Sequence, residues 1–426
     1  MSLPTFWPRP AARALVLLAL TGAGLASACG RHPSGPAQLI VRKGGTYTGT
    51  FGSTDSSLPC VSIQTTEPVT LSGCVLAGAG NLIEATRSGA QLTIVNCQGY
   101  GLAQSLDNIR HGHFLEANSA KSVRVEHNYF EHTSGISIYQ WSGDGTPAQT
   151  LTVRYNSARN IDGRYRNGGS TPVNFLGLNG LPNLAGIEVA WNQVINEPNQ
   201  SLVEDNINFF NSGGTRTSPA RLHDNYIQGA YPIPATSDTY AGSGITLDGT
   251  GRAPITTTAW VEGYDNQLVS TCAALNIASG HDNHFHHNRI ITSGLLPDGT
   301  RLAANYAGIG VWNAYKQPPT VFFHNHVSDN VVGFVHWGGS TPLPNRQDLS
   351  TGACPTCTAT THLPNPVTLQ TEQAEWALWQ RKLRAQHVHV GPAATSALPR
   401  MPPQQPLRAD SGSLRSILTS FRPKLQ

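Results

Sequence analysis

The segment Val123-Arg-Val-Glu-His-Asn128-Tyr-Phe130 returns downstream as Leu151-Thr-Val-Arg-Tyr-Asn156-Ser-Ala158 and again as Ile187-Glu-Val-Ala-Trp-Asn192-Gln-Val194. In each copy, alternating β-forming residues lead into an asparagine, and an apolar residue follows two positions later. Alternation at period two is typical of a strand, and asparagine accepts the left-handed geometry of a tight turn. A strand-plus-turn unit that recurs in this way predicts a solenoid.

Further copies extend the repeat in both directions at an irregular spacing of about 22–41 residues. Irregular spacing indicates coils of constant build that are joined by loops of variable length. Stacked asparagine side chains can hydrogen-bond from coil to coil and so satisfy buried turn backbone. The further copies are Leu92-Thr-Ile-Val-Asn96, Arg221-Leu-His-Asp-Asn225-Tyr-Ile227, Val261-Glu-Gly-Tyr-Asp-Asn266-Gln-Leu268, His284-Phe-His-His-Asn288-Arg-Ile290 and Val321-Phe-Phe-His-Asn325-His-Val327.

A second strand follows the asparagine turn in most coils, with one apolar residue on either side of a central residue. Period-two alternation places the flanking residues inside the coil and the central residue outside. These segments are Ile136-Ser-Ile138, Val173-Asn-Phe175, Ile207-Asn-Phe209, Ile245-Thr-Leu247, Leu275-Asn-Ile277 and Ile309-Gly-Val311.

Asparagine-bearing turns on short strands resemble the right-handed parallel β-helix of the pectate-lyase-like superfamily, with residues 41–340 as the β-helix. The resemblance is to an all-β fold and brings no catalytic motif with it. It implies a carbohydrate-active protein, with β-elimination on a polysaccharide as the favoured chemistry. The Asn-Thr-Asp, Asp-Asp, Gly-His-Gly and Arg-Ile-Lys motifs of the polygalacturonase-like family are missing, which counts against pectin hydrolysis.

Composition limits the partners of this chain. Charged residues make up only 12% of it, and the formal net charge is +3. Polarity carried by Gly, Asn, Ser and Thr suits β-structure with many turns. Because there is no basic run, nucleic acid is not an expected partner. We expect a monomer whose partner is a polysaccharide or a cell-envelope glycan.

The N-terminal residues 1–28 have the features of an export signal, in which Arg9 and Arg13 precede a short apolar run that ends in small residues. Cys29 follows at once, and residues 25–29 resemble a bacterial lipobox whose leucine stands one place early. A lipid anchor on Cys29 and free secretion both remain open. We expect a linker at 29–40 and a Pro-rich C-terminal extension at 341–426 with one amphipathic helix at about 371–386.

Export would permit disulfides among the cysteines. Cys60, Cys74 and Cys97 lie close in sequence, so two of them could pair. Cys354-Pro-Thr-Cys357 could form a tight disulfide or half of a metal site. No second Cys/His pair at zinc spacing accompanies it, which favours the disulfide or free thiols.

Long inserts between the asparagine turn and the following strand indicate a binding face. They fall at about residues 160–172, 196–206, 229–244 and 292–308. If the coils stack in register, the inserts leave from one corner and build a wall. Outward positions beside that wall combine amides and aromatics, which suit sugars, although asparagine is also an ordinary solenoid surface residue. The candidate substrate-binding residues are Tyr139, Asn174, Asn208, Asn276 and Trp312.

Acidic residues are few, so their grouping near the inserts is informative. Glu204 and Asp205 share one insert and could hold Ca²⁺ through oxygen ligands. Carboxyl groups there could equally form an acid–base pair, with Asp248 of a later coil as a further catalytic candidate. A solvated turn is the structural alternative.

Two basic candidates complete the set. Arg164 lies in the first insert, and His281 stands beside Asp282 in a histidine-rich run. Either could remove a proton during catalysis. Within that run, His284 and His286 face one way along a strand and His287 the other, so only two ligands would converge on a metal.

Two functions of different classes follow. A polysaccharide lyase would neutralise a uronate, with Ca²⁺ as one means, and would need a base and an acid. A hydrolase would instead use Asp205 with Asp248. The alternative is a non-catalytic surface solenoid that binds glycan or has a structural role. Convergence of Asp205, Asp248, Arg164 and His281 in one cleft would favour the enzyme.

Overall fold

The computed structural model describes residues 37–337, 343–350 and 356–393. The expectations for the export segment 1–28, for Cys29 and for the extension after residue 393 lie outside the described residues.

The chain from residue 37 onward winds into a parallel β-helix. Each coil contributes one short strand to each of three all-parallel sheets, which we call A, B and C in their order along a coil. Within the described residues, sheet A has ten strands, and sheets B and C have eleven each. The predicted all-β solenoid with asparagine turns is therefore confirmed. The sheets continue past residue 340, because the last strands of B and C lie between residues 357 and 362.

Sheet A consists of Leu39–Val41, Val61–Ile63, Ile83–Ala85, Leu115–Asn118, Ile136–Tyr139, Leu176–Asn179, Asp205–Phe210, Ser243–Asp248, Ala273–Ile277 and Ala307–Val311. Sheet B consists of Gly45–Tyr47, Pro68–Ser72, Gln91–Val95, Ser122–Glu126, Leu151–Arg154, Ile187–Ala190, Ala220–His223, Val261–Tyr264, His284–His286, His326–Ser328 and Cys357–Thr358. Sheet C consists of Thr50–Ser53, Val75–Gly78, Gln98–Gly101, Tyr129–Glu131, Ser157–Arg159, Gln193–Ile195, Tyr226–Ala230, Gln267–Thr271, Arg289–Thr292, Val331–Phe334 and Thr361–His362. A 3-10 turn lies at Pro254–Thr256 and an α-helix at Leu369–Ala385.

The core is a column of apolar side chains that alternate with outward polar ones along every strand. Val123 and Val125 are fully buried, while Arg124 between them is half-buried on the outer face. Aromatic rings stack in the same column: the centroids of Phe114 and Phe130 are 4.4 Å apart and their planes are nearly parallel. Each buried Val, Leu or Phe contributes about 1.5–3 kcal/mol by leaving water, so the core is the main driving force for winding the coil.

A ladder of buried asparagines fixes each coil to the next at the turn between sheets B and C. The Nδ2 of Asn192 donates to Asn225 Oδ1 (2.9 Å) and to the backbone oxygen of Val153 (2.8 Å). Its Oδ1 accepts from both the backbone nitrogen (3.1 Å) and the Nδ2 (3.0 Å) of Asn156. All the bonding groups of this buried amide are therefore satisfied. The asparagines of the ladder are Asn128, Asn156, Asn192, Asn225, Asn266, Asn288 and Asn330.

Three details of the predicted repeat are corrected. The left-handed residue is the one before the ladder asparagine, for example Trp191 with φ 56°. At the first copy, Asn96 is that left-handed residue, and Cys97 takes the ladder position by donating its backbone N–H to Asn128. At the last copy, the ladder residue is Asn330, while Asn325 bonds to Asn283 at the turn before sheet B.

The predicted pairing among the first cysteines is wrong. Cys60, Cys74, Cys97 and Cys272 are all free and buried. The thiols donate to backbone oxygens, Cys74 to Tyr47 and Cys97 to Leu71, each at 3.5 Å. Interaction between the two thiols lowers the pKa of Cys74 and raises that of Cys97. Cysteines here stack at the turn as the asparagines do further along. Cys357 is disulfide-bonded, and its partner lies outside the described residues.

The amphipathic helix expected near residues 371–386 is present as Leu369–Ala385, and it covers part of sheet C. Trp379 is fully buried against Tyr226, with ring centroids 5.8 Å apart. Glu375 pairs with Arg289 of sheet C at 2.6 Å. This helix is too short and too polar to span a membrane, and none of the described helices meets that requirement.

We expect Asn192→Ala to lower the free energy of unfolding by about 2–4 kcal/mol, because it leaves the buried N–H of Asn156 and C=O of Val153 in the preceding coil without their amide partner. Urea denaturation followed by circular dichroism would measure the loss. Asn179→Ala is the matched control, since Asn179 is an exposed asparagine of sheet A. Equal losses in the two variants would show that the ladder contributes nothing specific.

Candidate functional site

The outer face of sheet A carries the predicted row of polar side chains in register. Adjacent strands align Asn208 with Thr246, Thr246 with Asn276 and Asn276 with Gly310. A second row, two residues further on, aligns Phe210 with Asp248. Stacked coils therefore bring residues that are 30 to 40 positions apart in sequence to neighbouring places on one face.

Asn174 does not occupy the row position that the repeat predicts. The strand begins at Leu176, so Gly177 aligns with Asn208. The insert is therefore longer than the apolar pattern Val173-Asn-Phe175 indicates. Asn174 nevertheless reaches the same region, because its Nδ2 donates to the backbone oxygen of Asp205 at 2.8 Å.

Asp205 stands at the centre of a group of carboxyls on this face. Its side chain is 6% exposed. Oδ1 accepts hydrogen bonds from the hydroxyls of Ser243 (2.5 Å) and Thr246 (2.9 Å), and Oδ2 accepts one from Asn208 Nδ2 (3.0 Å). These donors hold the carboxylate in one orientation.

Asp248 is linked to Asp205 through one shared amide. Asn208 Nδ2 also donates to Asp248 Oδ2 at 2.8 Å, and the hydroxyl of Tyr315 donates to Asp248 Oδ1 at 3.2 Å. The ring of Tyr315 meets Phe210 edge to face at a centroid distance of 6.4 Å. An aromatic wall therefore stands beside the second carboxylate.

Glu204 completes the group and differs from the other two. Glu204 is exposed, and no hydrogen bond to its carboxyl is present among the described residues. Desolvation by the surrounding protein and then the charges of Asp205 and Asp248 raise its pKa to about 8, although the residue as a whole is exposed. Glu204 is therefore the carboxyl that is free to contact a bound molecule.

Burial and mutual repulsion act on all three carboxyls. Burial and then the charge of Asp205 raise the pKa of Asp248 to about 7. Burial also raises the pKa of Asp205, against the lowering effect of its hydrogen-bond donors. No Lys or Arg of the described chain offsets these charges. A group of carboxyls without a cation holds protons at neutral pH.

Tyr240 belongs to the same group, although its ring is partly exposed. Desolvation of the phenol and then the charges of nearby groups, that of Asp205 first, raise its pKa well above the ordinary value. The phenol therefore stays protonated and can donate a hydrogen bond to an anionic ligand.

The predicted catalytic residues Arg164 and His281 do not join this group. Arg164 is paired with the buried Asp162, with Nη2 and Oδ2 2.7 Å apart. His281 is buried, and its two ring nitrogens lie 2.7 Å from Asp282 Oδ2 and 3.1 Å from the backbone oxygen of Pro254. Each of them has its own partners, so the expected convergence is limited to the carboxyls.

The remaining predicted binding residues lie on sheet A or at its end. Tyr139 is 43% exposed on a strand nearer the N-terminus. Asn276 donates to Thr246 Oγ1 at 3.3 Å. Trp312 lies against Gly310, where any larger side chain would collide with the indole ring. Their positions line one outer face with amides and aromatic rings.

Sequence reasoning missed the hydroxyl donors and the phenols. Ser243 begins a strand, while Tyr240 and Tyr315 come from loops that carry no periodic pattern. The sequence repeat identified Thr246 only as an outward-facing position of the row. Strand register is the signal that could have identified Ser243, because Ser243 aligns with Asp205 when the two coils are stacked.

The chain matches no protein-family model, no curated protein sequence and no solved structure. A proposal for the function therefore rests on the geometry of the site.

We expect Glu204→Gln to stabilise the protein at high pH and to leave its stability unchanged at low pH. A raised pKa means that the folded chain binds the proton more tightly than the unfolded chain, so stability is lost as pH rises from the ordinary carboxyl range through about 8. Glutamine carries no charge and escapes this loss. The melting temperature, measured at about pH 5 and about pH 9, checks the sign.

Asp238→Asn is the matched control, because Asp238 is an exposed carboxylate in the insert that also carries Tyr240. It should have the same small effect at both pH values. If Glu204→Gln melts at no higher temperature than the wild type at about pH 9, repulsion between the carboxyls does not destabilise the folded chain.

Proposed function

We propose that this chain is a polysaccharide-cleaving enzyme whose reacting groups are the carboxyls of Glu204 and Asp248. The observation that carries the proposal is the cluster of three carboxyls on sheet A with no Lys or Arg beside it among the described residues; desolvation and mutual charge raise the pKa of Glu204 to about 8 and that of Asp248 to about 7. Acid–base catalysis is most effective when the pKa of the catalytic group lies near the working pH. Such a pair can hold one proton and accept another at neutral pH.

Glu204 is the proton donor in this proposal, because its pKa keeps it protonated near pH 7 and its carboxyl is not bonded to other described residues. Asp248 is the base, and Tyr315 and Asn208 fix its orientation. Asp205 accepts a hydrogen bond from Asn208 and so fixes the orientation of that amide. The two reacting groups therefore approach a ligand on sheet A from neighbouring coils.

The favoured reaction is β-elimination on a uronate-containing glycan. Asp248 removes the proton from the carbon next to the uronate carboxyl, a C=C bond forms, and the C–O bond to the departing sugar breaks. Glu204 gives its proton to that departing oxygen. Protonated Tyr240 and the amide of Asn276 supply hydrogen bonds to the uronate, whose charge must be offset for the carbon acid to react.

Aromatic residues on the same face support a sugar ligand. Trp312 and Phe210 flank the carboxyls, and Tyr139 extends the row toward the N-terminus. Flat apolar rings stack on sugar faces, while amides match their hydroxyls. A parallel β-helix also supports kinship with the pectate-lyase-like superfamily, and the apolar N-terminal segment supports export to a compartment where polysaccharides occur.

The donor set fits Ca²⁺ less well than it fits protons. Ca²⁺ takes six to eight oxygen ligands, whereas the oxygens of Asp205 already accept from Ser243, Thr246 and Asn208. Of the three carboxyls, only that of Glu204 accepts no hydrogen bond from the described residues. We therefore assign no catalytic step to a metal at this site, and Ca²⁺ at Glu204 and Asp205 stays a prediction.

We expect the purified protein to release unsaturated products from an acidic polysaccharide in a panel of acidic and neutral ones, with and without EDTA. Ultraviolet absorbance follows unsaturated uronates, and reducing ends are counted in parallel. Glu204→Gln and Asp248→Asn should each lower kcat at least about 100-fold, since each removes one proton-transfer group. Asp238→Asn should retain wild-type activity.

Reducing ends without unsaturation would replace elimination by hydrolysis at the same carboxyls. Cleavage that survives in both variants would overturn the assignment. Glycan binding without cleavage in wild type would favour the second candidate, a glycan-binding solenoid, which the exposed Tyr139 and the half-buried Phe210 and Trp312 on the same face support.

The pH dependence of kcat/KM gives an independent expectation. Asp248 must be ionised, so activity falls as pH drops below about 7, and Glu204 must be protonated, so activity falls as pH rises above about 8. The profile should be a narrow bell, and its two limbs belong to the coupled group rather than to single residues. A flat profile between pH 6 and about 9 would contradict the roles of both groups.

A further inference from the structure

A second cluster of ligand-bearing side chains lies on the outer face of sheet B. His284 and His286 are two residues apart on one strand, so both point outward. Glu262, on the preceding strand, aligns with His284. One potential ligand atom from each of the three side chains lies within 4.8 Å of the others. The structure thus adds a third ligand to the two histidines that the sequence brings together.

We propose that Glu262, His284 and His286 form a binding site for a zinc-like divalent transition metal. Imidazole and carboxylate ligands suit Zn²⁺ and its neighbours, whereas Ca²⁺ and Mg²⁺ prefer sites made of oxygen alone. Two histidines and one glutamate form a ligand set of open zinc sites, in which water takes the fourth position. The site is separate from the carboxyls of sheet A and does not depend on the proposed cleavage activity.

The side chains are held close to the required geometry. Ligand atoms around tetrahedral zinc are roughly 3.3 Å apart, so modest side-chain rotations would close the present spacing. His286 Nε2 already lies 3.5 Å from Glu262 Oε1. All three side chains are half-buried, so an ion can reach them from solvent while the strands keep their backbone fixed.

Neighbouring residues orient the ligands. His286 Nδ1 lies 2.8 Å from His287 Nδ1, so His287 engages this nitrogen and leaves Nε2 to face Glu262. Tyr264 stacks on His286 at a centroid distance of 5.4 Å with planes 11° apart. Metal-bound histidines usually have their second nitrogen held in this way, which fixes the ring and its tautomer.

His326 lies on the next strand and aligns with His284. Its ring centroid is 5.2 Å from that of His284, but it lies outside the three-residue cluster. It is exposed, and its Nε2 lies 3.5 Å from Thr358 Oγ1. We therefore assign the three inner residues as ligands and leave the fourth position to water.

Titration of the untagged, metal-stripped full chain with ZnCl₂ in a calorimeter tests the site. We expect one Zn²⁺ per chain and, with CoCl₂ instead, the visible absorption bands of four-coordinate Co²⁺. Glu262→Gln, His284→Gln and His286→Gln should each weaken Zn²⁺ binding at least about 10-fold. Zn²⁺ should raise the melting temperature of the wild type and not that of these variants.

His387→Gln is the matched control, because His387 is an exposed histidine beyond the C-terminal helix. His326→Gln should also keep the wild-type affinity within about threefold. Circular dichroism confirms that each variant is folded before titration. Absence of one-to-one binding, or wild-type affinity in all three ligand variants, would overturn the site. A loss in His326→Gln as large as in the ligand variants would overturn the three-ligand assignment.

Discussion

The structure depends on satisfying the buried backbone at the turn between sheets B and C. Each coil must turn sharply there inside a solenoid, where water cannot supply the missing hydrogen bonds. The asparagine ladder solves this in one step, because a single amide both accepts from the coil before it and donates to the coil after it. The residue before the asparagine takes the left-handed conformation that lets the chain turn.

Fixing one corner leaves the other two corners free to vary. Loops from sheet C to sheet A and from sheet A to sheet B differ in length from coil to coil, while the strands keep a constant register. Tyr240 and Tyr315 come from those loops, whereas Asp205 and Asp248 stand on strands. The candidate site therefore combines groups on a rigid floor with groups on variable walls, as is usual for repeat proteins.

The fold was predictable because the ladder asparagine recurs with its strand. The prediction failed at the first ladder position, because Cys97 occupies it in place of an asparagine. It also failed at Asn325, because that asparagine serves a different turn. Asp205 and Asp248 could be selected by their rarity, but contacts such as that of Ser243 depend on insert lengths that a repeat pattern does not reveal.

The partners of the buried carboxylates distinguish the candidate site from ordinary structure. Asp162, Asp348 and Glu375 are each buried beside an arginine, which offsets the cost of removing a charge from water.

Glu372 has no such cation among the described residues; it accepts a hydrogen bond from the backbone N–H of Ser293, yet burial still raises its pKa to about 7. Asp205 and Asp248 also accept hydrogen bonds, but they differ from Glu372 because they lie beside each other and beside Glu204, so their mutual repulsion adds to the cost of burial. A stability cost of this kind, on a face lined with aromatic rings, supports the proposed proton transfer to a bound ligand, since carboxyls with raised pKa values gather at functional sites.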